Sequence, residues 1–426
     1  MKRSYKIGSA VVIATSVALI ASGCSTGAGT GSDSHKDVTI TFWGAYGNGG
    51  NSTQQDALNK TLIPAFEKAN PGITVKYVDV AYDSLLQKLT TSAAGGKLPD
   101  LVRADLGWVP QFADLGVLEP LSTSMSDYKA LAAKDYPGSV ATNRYKGEYY
   151  GLPLDTNTRV LITSQQALDK AGVSEPPKTF ADLKTMATAL KGTGVSLWAD
   201  SKLEAWNIAP WIWSGGGEFT NKAETKATGY LNSAANAATI QMLVDWYKEG
   251  LIPNLLTGNS GAVATQDGLP KNDYATIFDG PWMAGVWSGS YKDFHPIYAP
   301  IPAGKGGSVS VVGGEDIVMT ASSAHKAAAA KFIRFTQSKQ FQIEMAKTGQ
   351  LTVQPRLADQ QAEMAADYSV YSDQLKTAKS RIASPNQSKI DAVLAAALTP
   401  AFTGGTTVKA ALNSAASQID ALLSGD

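Results

Sequence analysis

The residues with chemistry to offer are aromatic and acidic, and they come in pairs. Asp105-Leu106-Gly107-Trp108 sets a carboxylate three residues ahead of a large flat ring, and Asp279-Gly280-Pro281-Trp282 repeats that spacing. A carboxylate accepts hydrogen bonds and an indole offers an apolar face with a polar edge, which is equipment for holding a ligand. A third aromatic concentration, residues 206–219, puts Trp206, Trp211 and Trp213 beside three glycines. The glycine-rich run 44–51 adds Tyr46 and Asn48, either on a loop facing a polar ligand or in a plain turn. That run spells neither GxGxxG nor a P-loop, which argues against nucleotide binding. Three histidines (His35, His295, His325) and the single Cys24 leave little for a metal centre or histidine-based catalysis. No metal and no cofactor is expected.

These residues need a scaffold. Residues 38–43 (VTITFW) alternate β-branched and aromatic side chains and predict an opening strand. Leu58, Leu62, Ile63 and Phe66 share one helical face over 54–68, and Asn70-Pro71-Gly72 stops that helix. A strand at 73–80, a helix through Leu85, Leu86 and Leu89 and a strand at 98–104 complete a β-α-β-α-β series, an α/β lobe with parallel pairing. Ligands of such sheets meet the loops beyond the carboxyl ends of the strands, where Asp105 and Trp108 fall. Further along, Thr179 is placed to cap a helix starting near Ala181, and 240–247 predicts another helix. Residues 274–278 predict a strand running into Asp279. Residues 309–319 predict two strands broken at Gly313-Gly314-Glu315-Asp316. Helices follow at 326–341, 390–398 and 408–423.

The bulk composition sets limits. Lysine plus arginine equals aspartate plus glutamate, 37 against 37, so no basic surplus draws nucleic acid. Residues 1–23 carry Lys2, Arg3 and Lys6, then an uncharged run ending in small residues, which describes an export signal. Ala21-Ser22-Gly23-Cys24 resembles a lipobox, although Ala21 stands where leucine is usual; a plain secretory signal with an incidental cysteine is the alternative. Residues 24–37 read as a lipid-tethered flexible linker, with Cys24 the lipidation site. The body beyond it is too long for one ordinary core and predicts two lobes.

Six pieces in order resemble one family: the tethered signal, ITFWGAYGN, LPDLVRADLGWVPQFADLGVLEPL, YYGLPLDTNTRVLI with a following PPKTF, FDGPWM, and VVGGEDIVMTASSAHKAAAAKFIRF. The family is the extracellular solute-binding proteins of ABC importers, the group that includes maltose-binding protein. The resemblance implies a class II periplasmic-binding-protein-like fold, with two α/β lobes closing on a solute. It implies lobes of 38–154 plus 318–368 and 155–317 plus 369–426, the chain first crossing near 155–158. It also implies that Asp105 accepts from sugar hydroxyls near Trp108, where the alternative is a helix N-cap. Trp282 matches the ring on which a sugar stacks, where the alternative is core packing. Trp211 and Trp213 alternate, so in a strand both would face one way and in a helix they would diverge; only one of them is expected in the cleft. Gly313, Gly314 and Glu315 fall where the family recrosses between lobes, with Glu315 reaching the ligand or bridging the hinge.

The function this implies is a lipid-anchored, monomeric receptor on the outer face of a bacterial membrane. It would capture a di- or trisaccharide and deliver it to an ABC permease. Clustered cleft arginines, which an anion receptor would want, are not expected, since Arg103 lies on a strand side and Arg159 beyond the crossing. A receptor for a peptide, polyol or polyamine is the alternative. A secreted glycoside hydrolase would need two carboxylates flanking the bond, and nothing spells such a pair.

Overall fold

The run 38–44 buries every second residue (Ile40, Phe42 and Gly44) and forms strand β1 (Val38–Gly44). It does so in a computed structural model that describes residues 37–47, 52–258, 263–365 and 367–424. The expectations for the export signal, the linker, Cys24 and Asn48 fall outside the described residues, save Asp37 at the linker's end.

β1 pairs in parallel with β2 (Ile73–Asp79) and β3 (Leu101–Asp105). A small hairpin, β4 (Arg144–Tyr145) with β5 (Glu148–Tyr149), precedes β6 (Gly151–Thr158). Only Arg159 separates β6 from β7 (Val160–Ser164), which belongs to a different sheet. There β7 pairs antiparallel with β9 (Tyr274–Asp279) and β10 (Pro296–Ala299), and β8 (Ser196–Ala199) lies parallel to β9. The chain returns through β11 (Val312–Met319), which inserts antiparallel between β3 and β6. The sheets thus run β2-β1-β3-β11-β6 and β10-β7-β9-β8. β3, at the centre of the first sheet, and β6, at its edge, are both buried along their whole length.

Each sheet carries cores on its two sides. Ile40, Phe42 and Leu101 of the first pack with Phe66, Phe332 and Phe341 from helices, while Val102 and Ala104 face Trp108 and Phe112. On the second, Leu161, Trp198 and Phe278 join the helices Gln387–Thr403 and Val408–Ser424, whose Leu394, Leu398 and Leu412 are buried there. Val160, Ile162 and Ile277 pack with Tyr368 and Tyr371 of the helix Asp367–Leu375. The fold is therefore α/β with two lobes.

Three details differ from the sequence reading. The first helix contains a wide π segment, Ala57–Leu62, just before Pro64, whose ring lacks the N–H that a regular turn would use. The helix expected over 326–341 breaks into Lys326–Thr336 and Lys339–Ala346, where the Ser338 hydroxyl accepts the Phe341 N–H at 3.2 Å. The two strands expected over 309–319 are one, and its glycines lie inside the ladder. Gly314 has φ +132°, and a Cβ there would come within 2.5 Å of the Asp155 carbonyl oxygen, so glycine permits close pairing instead of ending the strand.

Candidate ligand-binding site

The carboxyl ends of β1, β3 and β6, the start of β11 and the carboxyl ends of β8 and β9 converge on one cavity of about 770 Å³. Cross-strand register sets its floor. Glu315 lies directly opposite Asp105 on one side and Asp155 on the other, so three carboxylates share a row. Like charges opposite one another repel, and Arg103 answers them. It lies on the same side of β3 as Asp105, its guanidinium 2.9 Å from Glu315 and 3.6 Å from Asp155. It also lies over the Tyr46 ring, 4.4 Å from its centre. Burial pushes the Glu315 carboxyl up, Arg103 pulls it back, and Asp155 raises it further. The Tyr46 hydroxyl, also pushed up by burial, stays neutral and makes no hydrogen bond within the protein.

Asp105 is fully engaged. Its Oδ1 accepts from Arg381 and from the Gly107 N–H, both at 2.7 Å, and its Oδ2 accepts from the Tyr82 hydroxyl at 2.6 Å. The Gly107 bond closes a local turn of the kind aspartate favours. Tyr82 and Trp108 lie against each other, 5.5 Å between ring centres, as one aromatic pair of the wall.

The second lobe supplies another pair. Trp282 stands on the turn after β9, its ring folded back over Gly280 where a Cβ would collide with the indole. It stacks on Trp206 at 6.3 Å and 28° between planes. Arg159 turns into the cavity from its position between β6 and β7, with Nη2 2.7 Å from Asp200. Asp279 borders the cavity too. Burial pushes its carboxyl up to about 6, against the pull of Arg159.

The structure brings Tyr46, Asp105, Trp108, Asp279, Trp282, Gly314 and Glu315 together around this cavity, together with Asn157. It does not bring Trp211 or Trp213. Both belong to the helix Ala205–Ser214, and neither borders the cavity. Trp211 is fully buried among Phe180, Trp198, Trp246 and Phe278, and Trp213 packs edge-on against Phe219. The ring that lines the cavity is Trp206, five residues earlier, which a helix turns about 140° away from Trp211. Trp213 shares the side of Trp206 but lies two turns, roughly 10 Å, further along the axis. Position at the start of a helix that follows strand 196–199 is the signal that would have singled out Trp206.

The expectation of a cleft without clustered arginines is also corrected, since Arg103, Arg159 and Arg381 all line the cavity. Arg103 occupies the inward side of its strand. Arg159 is the lone residue between two sheets, and Arg381 enters from a connector without periodicity. None is a free anion site, because each pairs with a carboxylate. The wall therefore offers flat apolar rings bordered by oriented donors and acceptors, which suits a rigid polyhydroxyl ligand better than an anion.

These features define a two-lobed receptor for a small solute. The bacterial extracellular solute-binding protein family matches residues 49–343, and the chain belongs to that family. A binding protein of Brucella abortus is 26% identical over 369 residues, covering 84% of this chain and 88% of the relative. The GacH receptor of Streptomyces glaucescens, studied unliganded and with acarbose, superposes with a TM-score of 0.80 at 23% identity, covering 91% of this chain and 98% of that one. The cyclic α-maltosyl-1,6-maltose binding protein of Arthrobacter globiformis superposes with a TM-score of 0.75 at 23% identity, covering 91% and 100%. The family's members are solute-binding components of ABC transporters, and these relatives are binding proteins, not enzymes.

Proposed function

We propose that this protein captures a di- or trisaccharide by closing its lobes and delivers it to an ABC permease. The observation that carries this reading is the pairing of Trp206–Trp282 and Tyr82–Trp108 around carboxylates and amides in one cavity. Pyranose C–H faces bury against indole rings while the hydroxyls at the rim find acceptors. A cavity of about 770 Å³ lies within the usual size for small-ligand sites. The sugar-binding relatives support the same class. Closure follows if the ligand touches both lobes and so favours the closed form by its differential affinity. The lobe limits of 38–154 plus 318–368 and 155–317 plus 369–426, monomeric action and a lipid anchor at Cys24 belong to the proposal. The two separate sheets and their cores support the division into two lobes, while β6 carries the first sheet on to Thr158, β11 re-enters it from Val312, and Tyr368 packs on the second sheet.

The test is titration of the purified protein with a panel of oligosaccharides, followed by tryptophan fluorescence and melting temperature. A saturable response to one linkage class, with intact sugar recovered, is expected. Silence across maltosides, raffinose-type, xylo-, galacto- and fucosyl-oligosaccharides overturns the sugar reading. Recovered cleavage products overturn the reading as a receptor.

A further inference from the structure

The cavity wall holds four cations (Arg103, Arg159, Lys202 and Arg381) against six carboxylates. Each cation is already taken. Arg103 pairs with Glu315 at 2.9 Å, Arg159 with Asp200 at 2.7 Å and Arg381 with Asp105 at 2.7 Å. Lys202 and Glu204 form a looser, more exposed pair at 3.7 Å. Two carboxylates remain, Asp279 and Asp391, and neither is in an ion pair among the described residues. Asp279 accepts the Gly280 N–H at 2.8 Å, while Asp391 accepts the Ala205 N–H at 2.9 Å and the Gln387 side chain at 3.0 Å. A further acceptor in the wall, Asn157 Oδ1, is buried with no partner at all, in a residue only 4% exposed.

The unspent groups are thus acceptors, two of them anionic. A hydroxyl can donate to them but leaves their charge in place as the cleft closes and water departs. An ammonium donates and neutralises. Trp206 already faces Arg159 at 5.6 Å and Arg381 at 5.7 Å, and Trp282, on the turn that follows Asp279, is the ring that favours a ligand cation. We propose that the ligand is a saccharide carrying a protonated amino group, held by Asp279 or by Asp391. This rests on the reading of the cavity as a sugar site and names the class of sugar.

The test uses matched ligands on the wild-type protein: maltose, cellobiose and lactose, the 2-amino-2-deoxy analogue of each, and the N-acetylated form of each amine. On whichever scaffold binds, the free amine is expected to bind at least about tenfold tighter than its hydroxyl and N-acetyl counterparts, the scale of one charge-assisted hydrogen bond. That ratio is expected to shrink as salt is raised, and to fall towards one in Asp279→Asn or in Asp391→Asn. Equal or tighter binding of the hydroxyl sugar by the wild type overturns the proposal, and so does a ratio unchanged in both variants. A spermidine titration separates the two readings. If spermidine binds and no saccharide does, the sugar site falls while recognition of a cation stands. If neither binds, both fall.

Discussion

The guanidinium of Arg381 reaches from one lobe to the other and donates to Asp105 Oδ1 at 2.7 Å. Arg381 is held by the second lobe, where neighbouring Ile382 enters the core and the Lys379 N–H donates to the Ser310 carbonyl oxygen. Asp105 ends a strand of the first sheet. The pair therefore ties the lobes together through this chain's own residues. A charge-assisted hydrogen bond of this kind contributes about 1.5–3 kcal/mol, roughly 10- to 100-fold in the ratio of closed to open forms. Arg381→Met is expected to enlarge the unliganded protein in small-angle scattering. An unchanged radius of gyration would mean the tie carries no closing energy.

Trp282 and Trp211 separate binding from folding. Trp282 is partly exposed on the cavity wall, so Trp282→Ala removes a stacking face worth about 1.5–3 kcal/mol. Ligand affinity is expected to fall about 10- to 100-fold with little loss of melting temperature. Trp211 is fully buried, and truncating a buried ring costs about 3–5 kcal/mol of stability. Trp211→Ala should lower the melting temperature markedly. Calorimetric titration and thermal melting of the two variants decide the assignment, and the reverse pattern would refute it.

Gly314 is where the returning strand presses closest to the first crossing. Its φ of +132° is open to glycine, and an added Cβ would meet the Asp155 carbonyl oxygen at 2.5 Å. Gly314→Ala must distort either the ladder or the row of Asp105, Glu315 and Asp155, at a cost of about 1–3 kcal/mol. The melting temperature should fall, and ligand affinity with it, because the same row floors the cavity. A variant as stable and as tight as wild type would show that the strand absorbs the methyl group freely.

The fold was legible wherever burial follows a simple period. The alternation of Ile40 and Phe42 and the helical face of Leu58, Leu62 and Phe66 report directly on their cores. The site was less so. Asp105 and Trp108 sit at a strand end, where topology alone directs attention. The arginines were hidden because Arg103 acquires its meaning from Asp155 and Glu315, roughly 50 and 200 residues away, and no local pattern distinguishes it from a solvated strand residue. The cluster of tryptophans misled for a physical reason. Large rings fill a core as readily as they line a cleft, and only the helix phase separates Trp206 from Trp211.

Buried carboxylates set the pH dependence of stability. Burial pushes Asp316 up to about 8, although the Asn143 side chain donates to it at 2.7 Å and the Thr142 hydroxyl at 3.3 Å. Burial likewise pushes Asp135 up to about 7. In the unfolded chain both titrate near about 3.9. Between there and the folded values the native protein binds more protons than the unfolded one, so its stability falls as pH rises. The contribution is fully present below about 4 and is lost through about 7 for Asp135 and about 8 for Asp316. Each group contributes a slope of at most about 1.4 kcal/mol per pH unit. Asp316→Asn keeps the side chain neutral throughout, so its denaturation free energy should fall less steeply than wild type between pH about 5 and about 8. Parallel slopes in chemical denaturation across that range would show that Asp316 is ionised in the folded protein.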